Sequence, residues 1–547
     1  MLGGGTAAVA ALAGCAGDST DQSTDGTGTD AGTGGDEQDD TETETETTAT
    51  ESSDSGNAAT FRLGQAKSPV HFDPIRLIGV PAHMVMNRVF SKLYTYDEGT
   101  NLVPNVATSL PEVSREGTRY VVEITDEARF HNGDPVTAED VVYSAMAPVR
   151  EQTGEATNFK MISEASVVDE TTVQFDLEYA YAMFPQSLTM KVVPKAVRED
   201  DPETFRTEQP IGSGPFEFVD WQENEFVELS RWDDYWGEMP NVDGIEYTPI
   251  PEPTTRVTTL KNGESDAIQS VPPKVYPTVQ GMDDTTLREE PAIGYYYVAF
   301  NCNEGATTDP RVREAVDYCV DMDSVVEKFI EPAGVRQYSP LPRPLAEEWE
   351  MPLDQWESIP HSKDTDRAAS LFEEAGVPGD WSATILVPPD DKREQIGVSV
   401  ANGIKEAGYD AEVVRLDWGT YIDTFDTGNK EDYQMYVLGF SGLPDPDAFV
   451  YNLFHTDQIG ANNGTYYDDQ TVMDRIVQAR KSTEREERRR LYADVVTTVL
   501  EDRVHLAAYN LKNTFGVKGQ VSDFQVHPVS QLNPRMVSGY NNVGVDR

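Results

Sequence analysis

The residue types that usually perform catalysis occur in this sequence without the spacing that catalysis needs. Seven histidines are scattered along the chain, none of them as His-Glu-x-x-His, and no Cys-x-x-Cys pair is present for a structural metal. Residues 439–443, Gly-Phe-Ser-Gly-Leu, lack the last glycine of a Gly-x-Ser-x-Gly nucleophile turn. The glycines of residues 3–8 follow no predicted strand, which argues against a dinucleotide-binding turn. We therefore predict no enzyme activity, no catalytic residues, no metal and no cofactor.

One cysteine has a chemically meaningful position. Residues 3–14 are small or apolar without charge, and they end in Leu-Ala-Gly directly before Cys15. This pattern resembles a lipoprotein signal, in which the cysteine is lipidated and becomes the first mature residue. No lysine or arginine precedes Arg62, so we expect the natural start to lie upstream. No later segment has eighteen consecutive apolar residues, so we predict an extracytoplasmic protein whose membrane link is the lipid on Cys15 alone.

The chain is strongly acidic. It has 96 acidic and 43 basic residues, which gives a net charge of -53. Because nucleic-acid affinity depends on lysine and arginine at phosphates, this charge excludes DNA and RNA as partners. Only 15 of the bases are lysine, and at molar salt the repulsion between acids is screened within about 3 Å. The composition favours a halophilic protein; the alternative is an ordinary acidic secreted protein.

One segment near the start is acidic and low in sequence complexity. Residues 16–59 contain thirteen acids, no base and no aromatic residue. Such a segment cannot bury enough apolar surface to fold. We predict that it is a disordered acidic tether between the signal and lipidation segment, residues 1–15, and a folded body that begins at Thr60.

The body contains recognisable secondary-structure signals. Residues 120–124 alternate as a strand, and the turn residues His131, Asn132 and Gly133 follow. Thr137 then precedes two acids, which predicts a capped helix through Val149. Further strands are predicted at residues 60–63, 295–301 and 504–515, and helices at 81–93 and 483–500.

Several blocks of residues along the body resemble one family. That family is the oligopeptide-, dipeptide- and nickel-binding solute-binding proteins of ABC importers. The resemblance extends from Thr60 to about Gly516 and rests on blocks that occur in the family's order: residues 93–97, 103–107, 128–141, 212–216, 232–237, 261–266, Asn301 with 309–315, 369–376 and 444–449.

The resemblance implies an α/β fold, a two-lobed periplasmic-binding-protein-like clamp with an additional α+β subdomain inserted in lobe I. Ligand would be enclosed between the lobes. The predicted boundaries are residues 60–94, 205–298 and 504–547 for lobe I, 95–204 for the inserted subdomain and 299–503 for lobe II.

Candidate ligand-binding residues follow from their predicted positions beside the cleft. From lobe I they include a glycine-rich loop whose bare backbone could approach a ligand, and from lobe II mainly aromatic and polar loop residues. The candidates are Phe72, Asp73, Gly212, Ser213, Gly214 and Tyr296 from lobe I, and Trp418, Tyr421, Phe440, Ser441 and Asp445 from lobe II.

One departure from the family pattern concerns the ligand's amino group. Peptide-binding relatives typically have an aspartate three residues before the Asp-Pro pair, and here that position is Gly442. Either Asp445 or Asp447 takes its place, or the ligand has no free amine. No arginine can be matched to a carboxylate-binding role, although Arg336 and Arg343 lie in a suitable loop.

Together with the lipoprotein-like segment at Cys15, the resemblance implies a lipid-anchored solute-binding component of an ABC-type importer. It would capture di- or oligopeptide-like solutes by lobe closure and deliver them to permease and ATPase subunits, and we expect it to be a monomer. The alternatives are an oligosaccharide or chelated nickel as cargo, or a surface sensor or structural glycoprotein without transport. Asn463 begins a glycosylation sequon, and whether Cys302 and Cys319 form a disulfide stays open.

Overall fold

The computed structural model describes residues 59–76 and 79–547 of the chain, and its main feature is a mixed sheet of twelve strands. The predicted lipidation site Cys15 and nearly all of the predicted tether lie outside the described residues. Within residues 59–76 and 79–547, no helix is both long and apolar enough to cross a bilayer.

One long strand, His505–Lys518, belongs to both halves of the molecule, and we call it the crossing strand. Its first part pairs with Tyr295–Phe300 and Gly334–Arg336. Its second part pairs with Ala267–Gln269 on one side and Thr285–Pro291 on the other. The two lobes therefore share a single hydrogen-bonded sheet, and the predicted strands at residues 295–301 and 504–515 are confirmed.

Lobe I contains the strands at one end of the sheet. Its apolar core includes Phe61, Leu63 and Ile245, none of which is more than 1% exposed. Its strands are Thr60–Gln65, Phe216–Gln222, Phe226–Arg231, Gly244–Pro249, Ala267–Gln269 and Thr285–Pro291, with short pairs formed by Val521–Ser522, Val537–Ser538, Asn541–Asn542 and Gly544–Val545; its α-helices are Val80–Val89, Lys195–Asp200, Pro202–Thr207, Pro253–Asn262 and Tyr276–Gln280.

The inserted subdomain is built on a separate four-stranded sheet. Its main helix begins as predicted, because the Thr137 hydroxyl accepts from the Asp140 N–H while the Asp140 carboxylate accepts from the Thr137 N–H. The sheet strands are Glu112–Ser114, Arg119–Glu123, Ile162–Val167 and Thr172–Leu177, beside the short pair Tyr94–Tyr96 and Leu102–Pro104; the helices are Ala138–Glu151 and Phe184–Ser187.

Lobe II carries helices on both faces of its part of the sheet. Side chains of Tyr295–Phe300 alternate between the two apolar clusters, Tyr295 and Tyr297 in one and Val298 and Phe300 in the other. The strands are Tyr295–Phe300, Gly334–Arg336, Ser382–Val387, Asp410–Arg415 and Met435–Phe440; the helices are Pro310–Cys319, Met322–Phe329, Arg343–Glu348, Leu353–Glu357, Thr365–Glu374, Asp391–Glu406, Trp418–Phe425, Pro446–Phe454, Gln470–Lys481 and Arg485–Glu501.

The inserted subdomain contacts lobe II directly. The Ala182 N–H donates to the Arg480 carbonyl oxygen at 2.9 Å, and the Arg480 guanidinium lies 4.5 Å from the Tyr181 ring centre. One apolar cluster continues from the inserted subdomain into lobe II. This architecture agrees with the expected clamp, whereas the exact residue boundaries of the lobes stay predictions. Tyr296, expected from lobe I, lies on the strand Tyr295–Phe300, which pairs with the lobe II strand Met435–Phe440.

The two body cysteines are free thiols in this structure. Cys302 is half-buried and Cys319 is buried. Burial raises the pKa of Cys302 to about 11 and that of Cys319 to about 12, so both are protonated at neutral pH.

The loop at residues 212–214 packs tightly against the end of the helix Val80–Val89. A Cβ on Gly212 would fall 2.0 Å from the Val89 carbonyl oxygen, and one on Gly214 would fall 2.2 Å from the Arg88 carbonyl oxygen. The His131 ring contacts the Gly212 N–H at 3.3 Å and the Gly214 carbonyl oxygen at 3.0 Å. Residues 212 and 214 are therefore glycines because the loop backbone lies directly against the helix backbone, with no room for a side chain.

We predict that Gly212→Ala lowers the free energy of unfolding by about 1–3 kcal/mol, because a helix backbone cannot move as cheaply as a side chain. The matched control is Gly379→Ala, since a Cβ there meets no atom within 4 Å. Chemical denaturation of both variants measures the difference. Equal stability of the two variants would contradict the packing role of Gly212.

Candidate ligand-binding cleft

The strand directions show which edge of lobe II faces lobe I. Ser382–Val387, Asp410–Arg415 and Met435–Phe440 are parallel to one another. Met435–Phe440 is antiparallel to Tyr295–Phe300, which is antiparallel to the crossing strand. The three parallel strands therefore run towards lobe I, so the loops after Val387, Arg415 and Phe440 face it.

The same reasoning applies to lobe I. Ala267–Gln269 is antiparallel to the crossing strand. Thr60–Gln65 and Gly244–Pro249 run in the same direction as Ala267–Gln269. The carboxyl ends of these strands therefore face lobe II. Ligands of open α/β sheets bind outside the carboxyl ends of strands, and here two such edges face each other. We take the space between them as the candidate cleft.

Aromatic rings and one arginine form the lobe II wall. The Tyr296 and Tyr509 rings stack at 4.4 Å and 7°, and a Cβ on Gly439 would fall 2.3 Å from the Tyr296 ring. The Arg393 guanidinium lies 5.2 Å from the Tyr296 ring centre and 5.4 Å from that of Trp418. Gly439 therefore leaves the room that this stack requires.

Arg393 is a buried cation without an acidic partner. Its exposed fraction is 6%, and its Nε has no hydrogen-bond partner. None of the ion pairs among the described residues includes it. Its backbone N–H donates to the Asp390 carboxylate, which caps the helix Asp391–Glu406. A buried guanidinium is costly unless a negative group pairs with it.

Two glutamines lie at the lobe I strand ends that face lobe II, and the Gln65 amide donates to the Pro81 carbonyl oxygen at 3.0 Å. Gln65 and Gln269 end neighbouring parallel strands, one step beyond the Gly64–Ile268 pair. Both are buried, and the side-chain carbonyl oxygen of each has no hydrogen-bond partner. Nearby, the Arg256 guanidinium holds the strand ends together by donating to the carbonyl oxygens of Ile250, Pro251, Gln269 and Ser270.

The structure brings four of the predicted site residues together at the lobe II edge. Tyr296, Trp418 and Phe440 are half-buried there, and Ser441 is exposed beside them. Tyr421 lies deeper, fully buried, with its hydroxyl donating to the Val437 carbonyl oxygen at 2.7 Å. Tyr421 therefore supports Trp418, on which its ring stacks at 5.7 Å.

The two loop aspartates have internal partners. Asp445 is 2% exposed, caps the helix Pro446–Phe454, and accepts from both terminal nitrogens of Arg488, at 2.6 and 3.0 Å. Asp447 is 1% exposed and accepts from Arg480 and from the Tyr492 hydroxyl. In this structure, neither carboxylate is free to take the role of the family's aspartate, whose position is occupied by Gly442.

The arginines considered from the sequence also have partners. Arg336 pairs with Asp323 at 2.6 Å and donates to two carbonyl oxygens of the crossing strand. Arg343 pairs with Glu347 at 2.7 Å on the surface of its own helix. Both therefore differ from Arg393, which forms no ion pair with a carboxylate of the described residues.

The remaining lobe I candidates lie in the framework of that lobe. Phe72 is fully buried, with ring centres 5.1 Å from Phe218 and 4.9 Å from Trp221. Asp73 is 1% exposed and accepts from the Arg198 guanidinium at 2.8 and 2.9 Å. In the loop at residues 212–214, Ser213 is also fully buried. Ligand contact by these residues stays a prediction that the observed packing does not favour.

The sequon asparagine is not at the surface. Asn463 is 0% exposed, its amide donates to the His455 carbonyl oxygen, and its side-chain oxygen accepts from the Thr465 N–H and hydroxyl. A sequon predicts a surface asparagine for glycosylation, and the structure contradicts this for Asn463, because the sequon closes its own buried turn.

Sequence reasoning did not identify Arg393, Tyr509, Gln65 or Gln269. Each of them lies at or just after the carboxyl end of a strand, or near the midpoint of the crossing strand. Such a position becomes informative only when strand order is known. Within residues 59–76 and 79–547, no group of three or more His, Cys, Asp or Glu residues is placed to hold a metal ion.

Comparison with known proteins identifies the family. The family model described as "Bacterial extracellular solute-binding proteins, family 5 Middle" matches residues 101–461, more than half of the chain. The oligopeptide-binding protein AppA of Bacillus subtilis is 25% identical over 495 residues, covering 86% of this chain and 89% of AppA.

Solved structures confirm the predicted fold class. HbpA2 from Haemophilus parasuis superposes with a TM-score of 0.79 at 20% identity, covering 89% of this chain and 100% of HbpA2. The periplasmic binding protein DppA from Helicobacter pylori, solved with the peptide STSA, gives a TM-score of 0.70 at 19% identity over 89% of this chain and 98% of DppA. Because the family model matches more than half of the chain, this protein belongs to the family 5 extracellular solute-binding proteins.

Proposed function

We propose that this protein is the lipid-anchored, extracytoplasmic solute-binding component of an ABC importer, and that its cargo is a peptide-like solute with a free carboxylate. The observation that carries the proposal is Arg393, a buried cation without a carboxylate partner at the edge of lobe II that faces lobe I. The peptide-binding names of AppA and the DppA complex support the same cargo class.

The two walls of the cleft complement different ends of such a solute. The Arg393 guanidinium would pair with the carboxylate, a charge-assisted contact that is strengthened where water is excluded. The unpartnered carbonyl oxygen of Gln269, which is 8% exposed, would accept from a ligand N–H group. The rings of Tyr296 and Trp418 would cover apolar side chains of the ligand without selecting one sequence.

This arrangement supports one of the two alternatives that Gly442 leaves open, a ligand whose amine is not held by a carboxylate. Because Asp445 and Asp447 are paired with Arg488 and Arg480, a free amine would meet neutral acceptors of lobe I. Neutral acceptors give weaker contacts than a carboxylate does, so selectivity would depend more on the ligand's carboxylate than on its amine.

Ligand would act by favouring the closed arrangement of the lobes. It contacts both walls only when the lobes are together, so its differential affinity shifts the population towards closure. The closed form would then dock on the permease, and ATP hydrolysis by separate subunits would drive transport.

The first test is a thermal-unfolding screen of the protein in molar potassium chloride against short peptides, oligosaccharides and nickel chelates. A peptide at about 100 times its dissociation constant should add about 2.7 kcal/mol of stability, seen as a shift of several degrees. Stabilisation by sugars or chelates without any by peptides would replace the proposed cargo.

The second test concerns Arg393. Arg393→Gln should weaken binding of a responding peptide by about tenfold or more, because the carboxylate loses its charged partner. Amidation of the peptide's carboxyl terminus should weaken binding to the natural protein similarly, yet have little effect on the variant. Calorimetric titration of both peptides measures this coupling.

The control for this test is Arg415→Gln. Arg415 lies at the end of a neighbouring strand, but its exposed side chain pairs with Asp391 and Glu394. Its loss should leave peptide affinity unchanged. Equal affinity losses in the Arg415 and Arg393 variants would contradict a specific role for Arg393.

The anchor has its own test. Cys15 should carry a lipid after expression in a host that processes lipoproteins, and Cys15→Ser should release the protein from membranes while leaving peptide binding intact. Intact-mass analysis of membrane-extracted protein detects the adduct. Unmodified Cys15 in membrane-bound protein would refute the anchor without affecting the cargo assignment.

A further inference from the structure

Four cations lie in neighbouring parts of the chain where lobe I, the inserted subdomain and the C-terminal segment meet, and they affect one another electrostatically. They are Arg88 in the last turn of the helix Val80–Val89, the pair Lys92 and Lys191, and Arg535. Across the described ranges, 59–76 and 79–547, no ion pair within 4 Å includes any of the four. We call this group the cation cluster; none of its members belongs to the candidate cleft walls.

The geometry of the two lysines is unfavourable by itself. Lys92 and Lys191 face each other in an antiparallel bridge, and like charges directly opposite on neighbouring strands are destabilising. Lys191 is 8% exposed, and its ammonium contacts the His83 ring nitrogen Nδ1 at 3.1 Å. His83 therefore acts as a neutral acceptor that orients the Lys191 ammonium.

The two arginines also lack carboxylates. Arg88 is 4% exposed; one terminal nitrogen donates to the Leu532 carbonyl oxygen at 2.6 Å, and its Nε has no partner. Arg535 donates to the Asp97 carbonyl oxygen and to the Tyr540 hydroxyl. Neutral oxygens satisfy part of each guanidinium but do not neutralise its charge.

The electrostatics of the lysines agree with this geometry. Burial lowers the pKa of Lys191 to about 8; Glu155, from beyond ion-pair distance, raises it and Arg88 lowers it. Burial also lowers the pKa of Lys92, and the cations Lys191, Arg535 and Arg88 lower it further. In a chain with 96 acids and 43 bases, these four cations form no ion pair with any described residue. Glu155, beyond ion-pair distance, offsets the charge of Lys191 only in part, so the cluster keeps a local positive charge.

We propose that the cation cluster is a binding site for a small polyvalent oxyanion, either an inorganic phosphate-like ion or a di- or tricarboxylate. Ammonium and guanidinium groups form charge-assisted hydrogen bonds to both kinds of oxygen. The bound anion would relieve the repulsion between Lys92 and Lys191. It would also join three parts of the chain that meet here: the helix, the inserted subdomain and the C-terminal segment.

The test is a thermal-unfolding titration of the whole protein with potassium phosphate and, separately, potassium citrate. Potassium chloride is adjusted throughout to keep ionic strength constant at a molar level. The natural protein should show a saturable rise of several degrees with at least one of the two anions. The anion that raises the melting temperature shows whether the site prefers a phosphate-like ion or a polycarboxylate. Calorimetric titration with the same salt gives its dissociation constant.

Two variants distinguish a site from a general effect of stabilising salts. Lys92→Gln should raise the melting temperature without added oxyanion, because it removes a like-charge contact, and should weaken oxyanion binding by about tenfold. Arg535→Gln, a second variant at the other side of the cluster, should weaken binding similarly. Lys274→Gln removes an exposed lysine elsewhere in lobe I and should change neither quantity.

Two results would overturn the proposal. One is the absence of a saturable response of the natural protein to both anions. The other is an equal response of the natural protein and the Lys92 and Arg535 variants, which would show that the salts act on the whole surface. Neither result bears on peptide binding, because the peptide tests use Arg393 and contain no added oxyanion.

Discussion

The crossing strand His505–Lys518 is the constraint on which the rest of the structure depends. It pairs with strands of lobe II in its first part and of lobe I in its second, so the direction of every strand in the large sheet is fixed relative to it. Because the strands of the two lobes run towards each other, their carboxyl ends meet at one place. Strand direction therefore sets the position of the cleft. The residues that line it lie at the ends of these strands or in the loops that follow them.

A second feature of the structure is how it treats buried charge. Asp73 with Arg198 and Asp445 with Arg488 are internally paired, both partners being nearly inaccessible. Such pairs contribute little net stability but are costly to break, and they make these carboxylates part of the framework. By contrast, a buried cation that forms no ion pair within the described part of the chain, such as Arg393 or Lys191, carries charge that a ligand from outside the protein could neutralise.

Local structure followed closely from local sequence. The Thr137 cap, the turn at Gly133 with its φ of 87°, and the alternating strand after residue 118 all depend on neighbours within a few residues. The site was predicted less well. Tyr296, Trp418, Phe440 and Ser441 do gather at one edge, but Phe72 and Asp73 face the lobe I interior, since polarity and ring size do not show which way a loop residue points.

The sequence by itself determined the charge, the family resemblance and the alternation of strands and helices, because each is a property of composition or short-range spacing. Only the tertiary structure decided which ionisable groups pair. Arg488 meets Asp445 across 43 residues, and Arg198 meets Asp73 across 125. Over such separations, strand order and packing decide which residues pair. They also decide which aspartates are held in internal ion pairs and which arginines have no carboxylate partner among the residues that the structure describes.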